Sequence, residues 1–256
     1  AGLRGQVAGK TSLSTVGKAG KGLTYRGYPI EVLSEKAKFE EVAYLLMYGS
    51  LPNKDEYENY SSKLISMRSL PNPILEVLER IPATAHPMDV MRTGCSMLGN
   101  IEPEGEFSNQ QESADRILAT MASIIVYWYK YSHEGKKDNT SSDYQTIGGH
   151  FLSLLHGDEP SEDHIRCLDT SLILYAEHGF NASTFTARTC ASTLSDIHSC
   201  ITGAIGTLRG PLHGGANEAA MELIEQFSTT EEAKSTAVSY THLRAHETSL
   251  HLVCRL

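Results

Sequence analysis

From Glu31 onward the apolar residues return every three or four positions, a spacing that places them on one face of a helix rather than of a strand. Phe39, Val42, Ala43 and Leu46 make the first stripe, which ends at Gly49 with Pro52 beyond, a normal helix stop. Tyr57, Tyr60, Leu64 and Met67 make the second, closed by Pro71. Pro73 opens a short third helix carrying Ile74, Val77, Leu78 and Ile81, at a position where its missing N–H costs nothing. Met88, Met91, Cys95 and Leu98 give a fourth face. Residues 103–113 then read as a polar loop and 114–131 as one long helix. A second polar loop covers 134–142. Helices follow over 147–155 and from Ser161, an N-cap with Glu162 and Asp163 behind it, to Gly179. Only the first thirty residues differ: Gly17, Gly20, Gly22 and Gly27 punctuate short β-type pieces, a small hairpin with loops. No repeat and no alternation of strands with helices is visible. The expected class is all-α with a small N-terminal β-hairpin.

The function classes that survive are narrowed by charge and cysteine usage. A formal net charge of −9 argues against a nucleic-acid or anionic-membrane surface, since either needs a basic patch. With 40% apolar and 21% charged residues in 256, the chain has the balance of a soluble globular protein. Its longest apolar stretch, residues 117–129, contains Thr120 and Ser123, is too short to cross a bilayer, and reads as a buried helix. No charged-then-apolar leader follows Ala1, so no secretory signal is expected. The five cysteines are scattered with no Cys-x-x-Cys pair, which fits free thiols in a reducing, cytoplasmic setting and no zinc site.

Two places hold residues suited to chemistry. His213 lies in Gly210-Pro211-Leu212-His213-Gly214-Gly215, immediately before a helix expected to bury Ala216, Ala220, Leu223 and Phe227. The positive end of a helix dipole disfavours imidazolium, so a neutral ring that donates to a developing enolate oxygen is expected there. The glycines let a substrate approach the backbone and expose N–H groups to anions. A loop histidine in a tight turn would look the same. His178 ends one helix, and Asn181, Ser183 and Thr184 supply short polar groups at the start of the next. This cluster suits a polar ligand, and equally suits plain capping. His86, before Pro87, reads as a capping residue, and His150 and His156 as core or cap residues. Residues 195–210 are small, which costs helix propensity but lets backbones approach closely. No carboxylate pair, Walker loop or nucleophile elbow is present.

In these same segments the sequence resembles the citrate synthase family, and within it the bacterial-type 2-methylcitrate synthases. The resemblance runs from about Gly5 to Glu232. Its motifs include Tyr25-Arg26-Gly27-Tyr28, Phe39-Glu40-Glu41-Val42-Ala43, residues 86–94 from His86-Pro87-Met88-Asp89, the run from His178 to Thr184, and Arg209 to Glu218. It implies a homodimeric, almost wholly helical enzyme with a large and a small domain. Such enzymes condense propionyl-CoA, or acetyl-CoA, with oxaloacetate and hydrolyse the thioester. Coenzyme A enters as part of the substrate, and no separate cofactor is implied. On motif match His213 stabilises the enolate and His178 binds oxaloacetate. Asn181 and Ser183 support that pocket, with Ser183 a candidate to orient His213, and Lys63 is a weaker match to a substrate-contacting cation.

The resemblance also implies a domain plan: a large helical domain over 1–212 and the start of a small domain over 213–236. The family's third histidine, its proton-abstracting aspartate and its carboxylate-clamping arginines have no counterpart in these residues. Residues 237–256 contain Val-Ser-Tyr-Thr-His-Leu-Arg-Ala-His-Glu-Thr, a string resembling translated sequencing-adapter read-through, and are expected to be foreign. The chain alone is therefore expected to be inactive. An alternative reading from a different class is a non-catalytic helical dimerisation module derived from a citrate synthase.

Overall fold

The computed structural model describes residues 9–17, 22–230, 232 and 234, without the side chains of 216–220. Gly20, Cys254, the segment 237–256 and the side chains of Ala216 and Ala220 lie outside the described residues. The chain divides into two compact units, Thr11–Gly206 and a second made of Ala1–Lys10 with Thr207–Leu256.

Three two-residue strands open the first unit: β1 (Ser14–Thr15), β2 (Thr24–Tyr25) and β3 (Tyr28–Pro29), antiparallel in the order β1-β2-β3. The sequence pattern suggested one hairpin. The third strand forms because Arg26 and Gly27 both take positive φ, 49° and 93°, and reverse the chain in two residues so that Tyr25 pairs with Tyr28. Ten helices follow: α1 (Ile30–Lys36), α2 (Phe39–Tyr48), α3 (Lys54–Ser66), α4 (Asn72–Glu79), α5 (Pro87–Ile101), α6 (Gln110–Glu134), α7 (Ile147–His156), α8 (Glu162–Tyr175), α9 (Ala182–Ala191) and α10 (Ile197–Leu208). The second unit contains α11 (Gly215–Glu225). None of the described helices is long and apolar enough to cross a membrane.

Most helix limits fall where the caps place them. Gly49 ends α2 at φ 100°, and Asn53 starts α3 by accepting from the Glu56 amide at 3.0 Å while Glu56 reaches back to the Asn53 amide. His86 caps α5 as expected, its Nδ1 accepting from the Met88 amide at 3.1 Å. One exception is α6, which starts at Gln110 rather than 114 after a short 3-10 turn at Phe107–Asn109. The polar residues there are helical because they have partners on that face. Glu112 pairs with Lys63 at 2.6 Å, and the Gln111 amide donates to Asp115 at 3.4 Å.

Two apolar clusters fill the unit. One gathers Tyr25, Leu33, Val42, Leu45, Leu64 and Ile173 with Ala119 of α6. The other gathers Ile74, Leu78, Val90, Leu98 and Ile205 with Ile117, Ile124, Tyr127 and Trp128 of the same helix. At Gly94 of α5 an added Cβ would lie 2.5 Å from Ile124, so the α5–α6 crossing needs glycine.

Charged groups are buried between these helices. Arg68, 1% exposed, donates to the carbonyls of Ser142, Tyr144 and Thr146 and so shapes the loop ahead of α7. His150, fully buried, lies 3.0 Å from the Ser123 hydroxyl and 2.9 Å from that of Ser142, a core residue as its sequence context suggested. Burial and the Arg68 charge hold its pKa down to about 3. Glu40 of α2 accepts from the Ile147 amide at 2.6 Å and thereby caps α7 from another helix. Burial pushes its carboxyl up to about 7, with Asp169 nearby adding to the shift and Arg68 opposing it.

A group held above its ordinary value of 4.5 favours folding in its protonated form. That contribution is whole below about pH 4.5 and is lost as pH rises through about 7. Glu40→Gln keeps an oxygen for the Ile147 amide. Urea titrations at intervals from pH 5 to 8 are expected to show a stability decline in the parent that is shallower in this variant, by on the order of 1 kcal/mol per pKa unit of displacement. Parallel curves for the two proteins would contradict the assignment.

Candidate active site

The first unit carries His178 on a turn whose shape is imposed from outside the helix it follows. The sequence pattern continued α8 to Gly179, but the helix stops at Tyr175. Tyr25, fully buried, donates its hydroxyl to the Ile173 carbonyl at 2.9 Å and accepts from the Glu177 amide at 3.2 Å, which draws the chain out of helical register. Gly179 then takes φ 79°. Its amide donates to Glu177 Oε1 at 2.5 Å, and Ser14 donates to the same oxygen at 3.1 Å. His178 sits between these two fastenings and is exposed.

Asn181 starts α9. Its Oδ1 accepts from the Thr184 amide at 2.9 Å and from the Ser183 hydroxyl at 2.8 Å. The expected polar cluster therefore exists, with its members joined in capping chemistry. Phe180, in the same turn, lies under the Arg188 guanidinium at 4.9 Å.

His213 belongs to the second unit. A tight series of backbone bonds shapes its surroundings: His213 N–H to Gly210 at 2.9 Å, Gly214 N–H to Leu208 at 2.9 Å and Gly215 N–H to Gly210 at 3.3 Å. A Cβ on Gly214 would stand 2.5 Å from the Leu208 carbonyl oxygen, so only glycine fits. The half-buried His213 thus precedes α11 by two residues, ahead of the helix end that favours negative charge, where the motif placed it.

Lys63 has other partners. Its ammonium donates to Asp115 at 2.7 Å and pairs with Glu112 at 2.6 Å, while Tyr48 and Tyr60 donate to the same Asp115 at 2.8 and 3.1 Å. Burial disfavours the charge on Lys63, but the hydrogen bonds to Asp115 and Glu112 outweigh it and raise the pKa. None of these ionic partners belongs to the 177–184 turn. The group ties α2, α3 and α6 together.

Sequence reasoning passed over Tyr25, Glu177 and Ser14. The signal available was faint: an acidic residue directly ahead of a His-Gly pair.

A sequence model described as citrate synthase, C-terminal domain, matches residues 2–245. The chain belongs to the citrate synthase family. It is 64% identical over 234 residues to 2-methylcitrate synthase of Shewanella oneidensis, covering 91% of this chain and 62% of that protein. It is 40% identical to 2-methylcitrate synthase 1 of Corynebacterium glutamicum, covering 86% of this chain and 60% of the relative. The mostly helical fold is that of solved citrate synthases. The Thermotoga maritima enzyme superposes with a TM-score of 0.81 at 33% identity, covering 96% of this chain and 65% of that one. A ternary complex of carboxymethyl coenzyme A and oxaloacetate with the Thermoplasma acidophilum enzyme gives 0.81 at 28% identity, covering 89% and 60%. The chain thus spans about 62% of the first of these relatives and 60% of the second.

The capping role of Asn181 has a direct check. Asn181→Ala is expected to cost ~0.5–2 kcal/mol in urea denaturation, and Asn181→Asp, which keeps the acceptor, a smaller amount. Equal losses in both variants would show that the cap is not what holds the start of α9.

Proposed function

We propose that this chain carries the helical part of a 2-methylcitrate synthase, which condenses propionyl-CoA with oxaloacetate and hydrolyses the product thioester to release coenzyme A. The carrying observation is the geometry of the Gly-Pro-Leu-His-Gly-Gly segment: an imidazole held two residues ahead of α11 by bonds that tolerate no side chain at Gly214. The 64% identity to a 2-methylcitrate synthase supports propionyl as the acyl group.

In this reading a carboxylate removes the α-proton of the acyl-CoA and His213 donates its ring N–H to the oxygen on which the enolate charge develops. The amides at the start of α11 favour the same negative charge. The enolate carbon then attacks the ketone of oxaloacetate, which His178 holds and polarises. Asn181 and Ser183 support the turn on which His178 stands. Lys63 is left out of the binding set, because both its ionic contacts are to carboxylates of this chain. The coenzyme A of the substrate is the only coenzyme required. In the family's plan residues 1–212 form the large domain and the segment from 213 begins the small one. The carboxylate base is not among the residues matched to the family's motifs.

A homodimer in the cytoplasm completes the proposal. It is supported by α9, none of whose ten residues is buried and whose Phe185 is 48% exposed, and by the free thiols of Cys95, Cys167, Cys190 and Cys200. The same exposed helix favours the second reading, in which the chain acts only as a dimerisation module. Turnover separates the two.

The experiment is thiol release from propionyl-CoA and acetyl-CoA in the presence of oxaloacetate, using the full-length protein. Propionyl-CoA is expected to be preferred, one methylene being worth about 1–3 kcal/mol. His213→Ala is expected to lower kcat by about 10²–10³-fold, as loss of a donor to a developing oxyanion does. Absence of thiol release from either thioester would overturn the catalytic reading.

A further inference from the structure

The backbone on both sides of His178 is pinned, while its ring is not. The amide before the ring, that of Glu177, donates to the phenol oxygen of Tyr25, and the amide after it, that of Gly179, donates to the Glu177 carboxylate. The same carboxylate oxygen takes the Ser14 hydroxyl of β1, a residue 163 positions away in sequence. Tyr25 comes from β2 and is wholly buried. Two strands of the N-terminal sheet therefore converge on one turn and fix its shape. The imidazole at the apex is exposed and has no hydrogen-bond partner among the described residues. A free ring on a fixed backbone is what a binding histidine requires.

The charge of Glu177 makes its presence informative. A carboxylate one residue from a site for a dianion repels that ligand. Its retention in a binding role therefore needs an offsetting benefit, and the two bonds it accepts supply one: they order the turn before the ligand arrives.

We propose that Glu177, braced by Ser14 and Tyr25, is a positioning residue for His178, holding the ring in the one orientation in which it meets the 2-oxo dicarboxylate. The inference rests on the reading of His178 as the oxaloacetate histidine. It adds that the N-terminal sheet is part of the binding apparatus although it does not touch the ligand. Ordering one residue's backbone in advance is worth about 5–30-fold in affinity.

The test is oxaloacetate binding by the full-length protein, measured by titration calorimetry, combined with ring and backbone signals from this chain labelled at histidine and glycine. Glu177→Ala is expected to bind oxaloacetate about 5–30-fold more weakly although it removes a repelling charge. Glu177→Gln, which keeps the accepting oxygen, is expected to restore most of that loss. In the alanine variant the Gly179 amide is expected to exchange faster and the His178 ring signals to collapse toward those of a flexible histidine, with Gln again restoring both. Ser14→Ala, a smaller change, is expected to move the same signals in the same direction if Glu177→Ala does not fold. Tighter or unchanged binding by Glu177→Ala would overturn the positioning role, because charge alone predicts that result. Unmoved Gly179 and His178 signals in both Glu177→Ala and Ser14→Ala would overturn it even without ligand. Loss of the reading itself looks different: the unsubstituted full-length protein fails to bind oxaloacetate, or His178→Ala binds it equally well, while the signals of the 177–179 turn still respond to Glu177.

Discussion

Helix α6 enters both apolar clusters of the first unit, giving Ala119 to one and Ile117, Ile124, Tyr127 and Trp128 to the other. Burial on opposite faces of a single helix joins what would otherwise be two small cores, each marginal by itself. The arrangement also explains the close contact at Gly94, where α5 must approach Ile124 more nearly than any side chain permits. The polar atoms of the same helix are put to use as well. Asp115, on its first turns, draws in Tyr48, Tyr60 and Lys63, so α2 and α3 are fastened to α6 by hydrogen bonds and an ion pair in addition to packing.

Buried charge in this fold does positional work on backbone rather than chemistry on substrate. Arg68 gathers three carbonyls ahead of α7, and Glu40 takes the first amide of that helix. Both add groups from distant parts of the sequence to the local cap, in which Thr146 Oγ1 accepts from the Gly149 amide at 2.9 Å. Burying such groups is costly unless their bonds are met; each bonds to main-chain atoms, although Arg68 Nε and Glu40 Oε2 find no hydrogen-bond partner among the described residues. The turn at His178 follows the same logic, with Glu177 and Tyr25 closing what the helix leaves open.

Much of this was legible in the residues. Periodicity and punctuation located nearly every helix, because apolar stripes and glycine or proline stops report directly on one-sided burial and on φ. His86, His150 and the setting of His213 were legible for the same reason, each being decided by its immediate neighbours. What escaped was decided at a distance. Residues 110–113 looked like loop because their polarity is local information, whereas Lys63, the partner of Glu112, comes from another helix. The stop of α8 at Tyr175 depends on a phenol far earlier in the chain. The setting of Lys63 was not legible locally either, since the two carboxylates that hold it, Glu112 and Asp115, lie far along the chain.

The hydrogen bond from Tyr25 to Ile173 joins residues 148 apart. During synthesis the first strands leave the ribosome long before their counterpart exists. At about 5–20 residues per second they wait on the order of ten seconds or more. Through that interval a short, Gly-rich sheet with exposed edges has nothing to complete it. The earliest-made part of the unit is thus among the last to become native, and its quality control falls to whatever shields nascent strands in the meantime.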